Sequence, residues 1–185
     1  MKKRATNWHF EASTDGYVIP GDRDYLQPTA AADYGRLHLE VRYNYETVGS
    51  GSLWLGYNVN TGKKLTVAFT PMLSTVIGDT NGVAPGYELL LNWRRLELYS
   101  EGEWVFSVKD FSDSFYFAWS EITLTPVNWL SFGIVGQRTQ AFDGVRDIQR
   151  GVLLRVVRKQ LELTVHAFNP ETSNPLYVFT VGVGF

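Results

Sequence analysis

From Arg36 to Glu46 the chain reads RLHLEVRYNYE. Leu37, Leu39, Val41, Tyr43 and Tyr45 share one parity, and Arg36, His38, Glu40, Arg42, Asn44 and Glu46 share the other. Strand side chains point alternately to opposite faces, so a period of two builds a strand with one oily and one polar face. The same period recurs along almost the whole chain, and helix signals are nearly absent. The alternation predicts twelve strands, at 7–18, 24–33, 36–47, 52–60, 64–73, 86–93, 96–106, 114–124, 129–139, 147–156, 160–168 and 175–185. Pro28 lies inside the second, and proline is poorly tolerated in a paired strand. Ten strands is therefore the fallback, with the first two set outside the sheet.

The connections alternate in character. Gly-rich or acidic segments fall at 19–23, 48–51, 74–85, 107–113, 140–146 and 169–174. Between them come tight turns at Tyr34-Gly35, Thr61-Gly62-Lys63, Arg94-Arg95, 125–128 with Pro126, and Val157-Arg158-Lys159. Longer and shorter connections in alternation put all short turns at one end of an antiparallel up-and-down sheet. An even strand number places both chain ends at that same end.

Alternation alone fits two all-β architectures. A soluble barrel or sandwich turns its apolar parity inward, whereas a transmembrane barrel turns it outward to lipid. Outward residues in the second case include Leu53, Leu55, Tyr57 and Val59, then Phe132, Ile134, Leu154 and Leu163. Aromatics favour the membrane, since they make up 15% of the chain and sit at strand ends. Trp8, Trp93 and Phe185 fall on the turn side and Trp104 and Phe106 on the loop side, as two interfacial girdles require. Twelve strands also enclose an interior too wide for a soluble core to fill. The mean hydropathy is only -0.14. No stretch approaches the ~20 apolar residues of a membrane-spanning helix.

The final segment, LYVFTVGVGF, places Tyr177, Phe179, Val181, Val183 and Phe185 on one parity and ends on the aromatic. A terminal Phe closing an alternating strand resembles the C-terminal signal of bacterial outer-membrane β-barrel proteins. The resemblance covers the last strand only. It implies a closed barrel in the bacterial outer membrane, and recognition of those five residues by the barrel-assembly machinery.

The whole of 1–185 is expected to form a single transmembrane barrel domain, with 1–6 as a disordered N-terminal segment. MKKRATNW begins with basic residues but has no apolar run behind it, so it is no signal peptide as it stands. An exported protein would have lost its signal, with Met1 a later addition. The chain has no cysteine, which removes disulfides and thiolate metal sites. Its net charge of -2 gives no nucleic-acid footprint.

Charge is also distributed along the axis. The tight turns are basic, with Lys63, Lys64, Arg94, Arg95, Arg158 and Lys159, and the longer connections are mostly acidic. Basic periplasmic turns suit anionic headgroups. Arg138 and Arg150 lie across one hairpin near the outer rim and share the outward parity. They are candidates for contact with outer-membrane lipids, including lipopolysaccharide phosphates; a bulge that turns them elsewhere is the alternative.

The inward parity carries the candidate lining of the lumen: Glu11, His38, Glu40, Arg42, Glu88, Glu97, Glu121, Arg155 and Glu162. Glu46, Glu101 and Glu103 share this parity, as do Arg36 and Arg95. Acids outnumber bases, and an acidic aqueous pore focuses cations. His9, His38 and His166 show no metal-ligand spacing and are not expected to meet. His9, Glu11 and Ser13 share a face, yet period-two neighbours generate such groupings freely, so no catalytic residues and no cofactor are expected. The expected function is a narrow passive channel for ions or small polar solutes with weak cation preference. The alternatives are a non-conducting structural or partner-binding barrel, a lipid-modifying barrel enzyme, and a soluble β-barrel binding protein.

Overall fold

The computed structural model describes residues 7–141, 146–172 and 174–185. The expected disordered segment 1–6 lies outside the described residues, as do 142–145 of the predicted 140–146 loop and Ser173 of the 169–174 loop.

The chain forms β1 (His9–Val18), β2 (Tyr25–Tyr34), β3 (Leu37–Tyr43), β4 (Ser50–Tyr57), β5 (Val59–Gly62) and β6 (Leu65–Gly78). There follow β7 (Gly82–Trp93), β8 (Leu96–Ser107), β9 (Phe115–Val127), β10 (Leu130–Ala141), β11 (Arg146–Arg158), β12 (Leu161–Phe168) and β13 (Leu176–Gly184). All belong to one antiparallel sheet. Pairing of β1 with β13 and of β4 with β6 closes it into a barrel.

Thirteen strands make twelve staves, because β4 and β5 are two halves of one. Both pair with β6 in a single register, Gly56 opposite Met72 and Val59 opposite Phe69. The gap falls where Pro71 offers no N–H to the ladder. The Asn58 amide instead donates to Arg36 O at 2.8 Å. Pro28 is accommodated differently. It pairs with Thr14 of β1, and the ladder between β2 and β3 stops one residue short of it, at Thr29. The first two strands therefore belong to the barrel, and the ten-strand fallback fails.

All five tight turns gather at one end, together with β1's start and β13's end. Each is two residues: 35–36, 63–64, 94–95, 128–129 and 159–160. Gly35, Arg94 and Lys159 adopt left-handed φ of 65°, 59° and 58°, which two-residue hairpins demand. Two sequence expectations are corrected here. The turn predicted at 125–128 falls at 128–129, because β9 continues past Pro126 to Val127 and a register shift between Leu130 and Phe132 absorbs the irregularity. The loop predicted at 74–85 shrinks to 79–81. Ser74, Thr75, Val76 and Ile77 alternate buried and exposed like any other strand, and the Gly-rich, acidic character is confined to the residues around the turn itself.

The apolar parity faces outward all around the wall. Leu53 is 62% exposed and Ile134 58%, with Leu55, Phe132, Leu154 and Leu163 in the same state. Such a continuous oily exterior has no place in water and fits the hydrocarbon of a bilayer, which removes the soluble alternative. Trp8, Trp93, Trp129 and Phe185 are exposed at the turn end and Trp104 near the loop end.

The interior is divided in two along the axis. Its turn-side half is polar. Its loop-side half is packed with apolar side chains: Tyr17, Trp119, Val135, Leu153, Phe168 and Val178 form one cluster, and Trp54, Met72, Val76, Ala84 and Val105 another. The expectation of a polar inward parity holds throughout the turn-side half, while on the loop side buried Gln27, Ser50, Ser52, Ser74 and Glu103 share the interior with these apolar clusters. Alternation places the cluster residues inward but cannot show that the inward parity becomes richer in apolar side chains on one side.

Candidate functional site

The polar half contains a cavity of about 720 Å³. Its lining runs from Glu11, Gln160 and Gly184 at the turn end up to Tyr17, Tyr45, Tyr99, Phe117 and Trp119 beneath the apolar packing. All nine residues predicted to face the lumen lie on this wall. The structure gathers most of them into two ion-pair clusters.

The first surrounds Arg42 of β3. Its Nε donates to Glu40 Oε1 at 2.7 Å and its Nη2 to Glu40 Oε2 at 3.2 Å. The same Nη2 lies 3.6 Å from Glu88 of β7 and 3.6 Å from Glu101 of β8, across the barrel. The guanidinium also sits over the rings of Tyr45 and Trp54, 4.2 and 4.7 Å from their centroids. Gly86 makes room for Trp54: a Cβ there would meet the indole at 2.8 Å. His38, beside Glu40, has a carboxylate at each ring nitrogen, Asp33 at 3.0 Å from Nδ1 and Glu40 at 3.2 Å from Nε2.

The second surrounds Arg155 of β11. It donates to Glu97 at 3.0 Å and to Glu121 at 2.5 Å, and its Nε lies 3.2 Å from Glu162. Glu121 also takes His166 Nε2 at 2.8 Å and Trp119 Nε1 at 3.0 Å. Each arginine is thus held by three carboxylates, and β8 supplies one to each cluster, Glu101 and Glu97. Together the pairs brace the lumen from β3 to β11.

Other candidates part company. Glu11 lies at the exposed turn end, 3.0 Å from His9, and no hydrogen bond joins Ser13 to His9 among the described residues. Arg36 leaves the predicted inward set: it bonds Tyr57 on the outer face and stacks 5.4 Å from that ring. Arg95 is likewise not on the cavity wall but exposed in its turn. Glu103, only 2% exposed, and Glu46 stand apart from the cavity, and all four of their carboxylate oxygens are buried without a hydrogen-bond partner. Asp15 and Asp33 were missed as lining residues, although both share the inward parity of their strands.

On the outside, β10 and β11 pair without a bulge, Gly136 opposite Arg150 and Arg138 opposite Ile148. Arg138 and Arg150 therefore keep the parity of Ile134 and face outward near the loop end. Arg138 bonds Gln140, lies 5.4 Å over the Tyr116 ring, and leaves its Nε buried without a partner. It borders an outward cleft of about 400 Å³ with Trp104, Tyr116, Gln140 and Ala141. Arg150 is exposed and does not line that cleft. At the seam, Phe10 and Phe185 exchange backbone hydrogen bonds of 2.8 and 2.9 Å, and their rings lie 6.0 Å apart.

A closed twelve-stave barrel with an oily exterior and a charged chamber has the architecture of an outer-membrane β-barrel. Comparison of the fold agrees. The KdgM porin superposes with a TM-score of 0.69 at 15% identity, over 95% of this chain and 99% of that one. A KdgM porin in complex with disordered oligogalacturonate gives 0.69 at 14% identity, over 95% and 99%. The NanC porin gives 0.60 at 12% identity, over 94% and 98%. No protein-family model matches the chain, and no curated protein matches it.

Proposed function

We propose that this barrel is a narrow passive channel of the bacterial outer membrane, with its turns and both chain ends periplasmic, for ions or small polar solutes with a preference for cations. One observation carries the preference: nine carboxylate side chains and only two guanidinia line the cavity. In a low-dielectric wall that imbalance concentrates cations and repels anions. The same imbalance argues against transferring a ligand from the structural neighbours, since the oligogalacturonate bound by a KdgM porin is a polyanion. Planar-bilayer recording across a KCl gradient tests the proposal. The expected reversal potential is that of a potassium-selective pore, falling toward zero in Glu97→Gln and Glu162→Gln. Anion selectivity would refute the preference, and silence from well-inserted protein would refute the channel.

A second reading, a non-conducting structural barrel, draws support from the apolar packing of the loop-side half. An enzyme is disfavoured, because His9 is engaged with Glu11 and not with Ser13. Two contacts complete the proposal. The Arg138 cleft takes a phosphate of an outer-leaflet lipid such as lipopolysaccharide, and Tyr177, Phe179, Val181, Val183 and Phe185 serve as the signal for the barrel-assembly machinery.

A further inference from the structure

His38 presents a bookkeeping problem. Both of its ring nitrogens face carboxylate oxygens, Asp33 Oδ1 at 3.0 Å and Glu40 Oε2 at 3.2 Å. A neutral imidazole carries one N–H, so it satisfies one carboxylate and turns a lone pair toward the other. A cation must then stand between the second nitrogen and its carboxylate. That cation is either a second proton or a metal ion.

Several features favour a metal ion. Ligand atoms of His38, Glu40 and Glu88 all lie within 4.8 Å of one another. Tetrahedral zinc with bonds of about 2.0–2.1 Å needs its ligand atoms roughly 3.4 Å apart. The Nε2 to Oε2 distance of 3.2 Å is already near that value. Glu88 is the ligand that has to approach, and it has room to do so: among the described residues its carboxylate makes no hydrogen bond and only a 3.6 Å contact with Arg42. Asp33 accepts from His38 Nδ1 and from Asn58 Nδ2, the latter at 2.6 Å. A carboxylate fixed behind a histidine in this way sets the tautomer that leaves Nε2 as the ligand. Arg42 fixes Glu40 mainly through its other oxygen, Nε to Oε1 at 2.7 Å, with a longer 3.2 Å bond from Nη2 to Oε2. The charge also fits. Glu40, Glu88 and Glu101 surround the one guanidinium of the cluster and Asp33 adds a fourth carboxylate at His38, an excess that a divalent ion reduces. All three ligands line the cavity, so an ion and its remaining water have access from the turn end.

We propose that His38, Glu40 and Glu88 form a binding site for a divalent metal ion of the zinc class inside the barrel, with Asp33 orienting the histidine. Imidazole with carboxylates suits zinc and the neighbouring first-row ions better than calcium or magnesium.

The test is zinc titration by calorimetry on the refolded barrel in detergent, with zinc chloride as the probe and magnesium chloride as the control. One zinc ion per barrel is expected, with no comparable heat from magnesium. His38→Ala abolishes the binding. Asp33→Asn weakens it roughly 10- to 100-fold, the usual loss when an orienting partner is removed. Glu88→Gln weakens it at least about tenfold on the same scale. This variant removes no hydrogen bond and so remains folded if His38→Ala does not, with folding checked by heat-modifiable gel migration. Absence of zinc binding by the wild type overturns the proposal, as does binding that survives unchanged in Glu88→Gln. The readout is a binding isotherm, so it stands or falls apart from any conductance.

Discussion

At the residue scale, the charged interior was legible in kind and not in pairing. Period two places His38, Glu40 and Arg42 on one face of β3, and their mutual contacts follow from spacing alone. The partners that complete the cluster, Glu88 and Glu101, lie on β7 and β8 and meet Arg42 only because the sheet closes. Without a closure geometry no sequence pattern links them. Removing one partner from such a buried group leaves unpaired charge, so the clusters act as units. Arg138 is the opposite case. Its outward parity was legible, while its unpartnered Nε and the ring of Tyr116 beneath it were not. A hydrogen bond to a charged group contributes about 1.5–3 kcal/mol, or roughly 10- to 100-fold in affinity. Arg138→Ala is therefore expected to weaken retention of diphosphoryl lipid A by roughly that factor in native mass spectrometry. Arg150→Ala, away from the cleft, changes it less. Equal retention of dephosphorylated lipid A by the wild type would remove the phosphate from the explanation.

Among the elements, the strands were read best and their ends worst. Proline misled in both directions. Pro28 cast doubt on a genuine strand, because a sequence does not reveal where a neighbouring ladder stops. Pro126 suggested a turn two residues too early, because a register shift near Leu130 lets β9 run on. Pro71 drew no attention, yet it divides one stave into β4 and β5. The terminal strand is the clearest success, since its oily parity matches the lipid-facing wall. Phe185 has two separable roles there, a seam contact with Phe10 and the proposed signal. An aromatic pair adds about 0.5–1.5 kcal/mol beyond area burial. Phe185→Ala retains the two backbone hydrogen bonds, so urea unfolding from lipid vesicles is expected to shift by only about that much. The amount of folded barrel reaching the outer membrane of cells falls far more. Proportionate losses in both measurements would leave no role for Phe185 beyond the seam.

For the whole molecule, the decisive feature is the division of the interior. A charged chamber braced by two arginine clusters lies on the turn side, and a tight packing in which aromatic and aliphatic clusters enclose a few buried polar side chains lies on the loop side. On the channel reading proposed above, ions pass the chamber and meet their barrier in the loop-side packing, where an apolar constriction excludes water. Phe168 sits at that barrier. It is fully buried, and its ring packs edge-on to Trp119 with centroids 5.1 Å apart. Phe168→Ala removes the ring from the space between β12 and β9. The cost of such a truncation is about 3–5 kcal/mol in a well-packed core. If the barrel conducts by transient opening of this packing, the vacated volume admits water and the variant opens more often, or in larger steps, than the wild type in bilayer recordings. On the same reading the proposed cation preference is retained, because the nine carboxylates of the cavity lie in the other half. A barrel whose loop-side half is a permanent structural core behaves differently: the variant loses stability in urea and stays electrically silent. Measuring conductance and unfolding on the same preparation therefore separates a gated channel from a closed pillar.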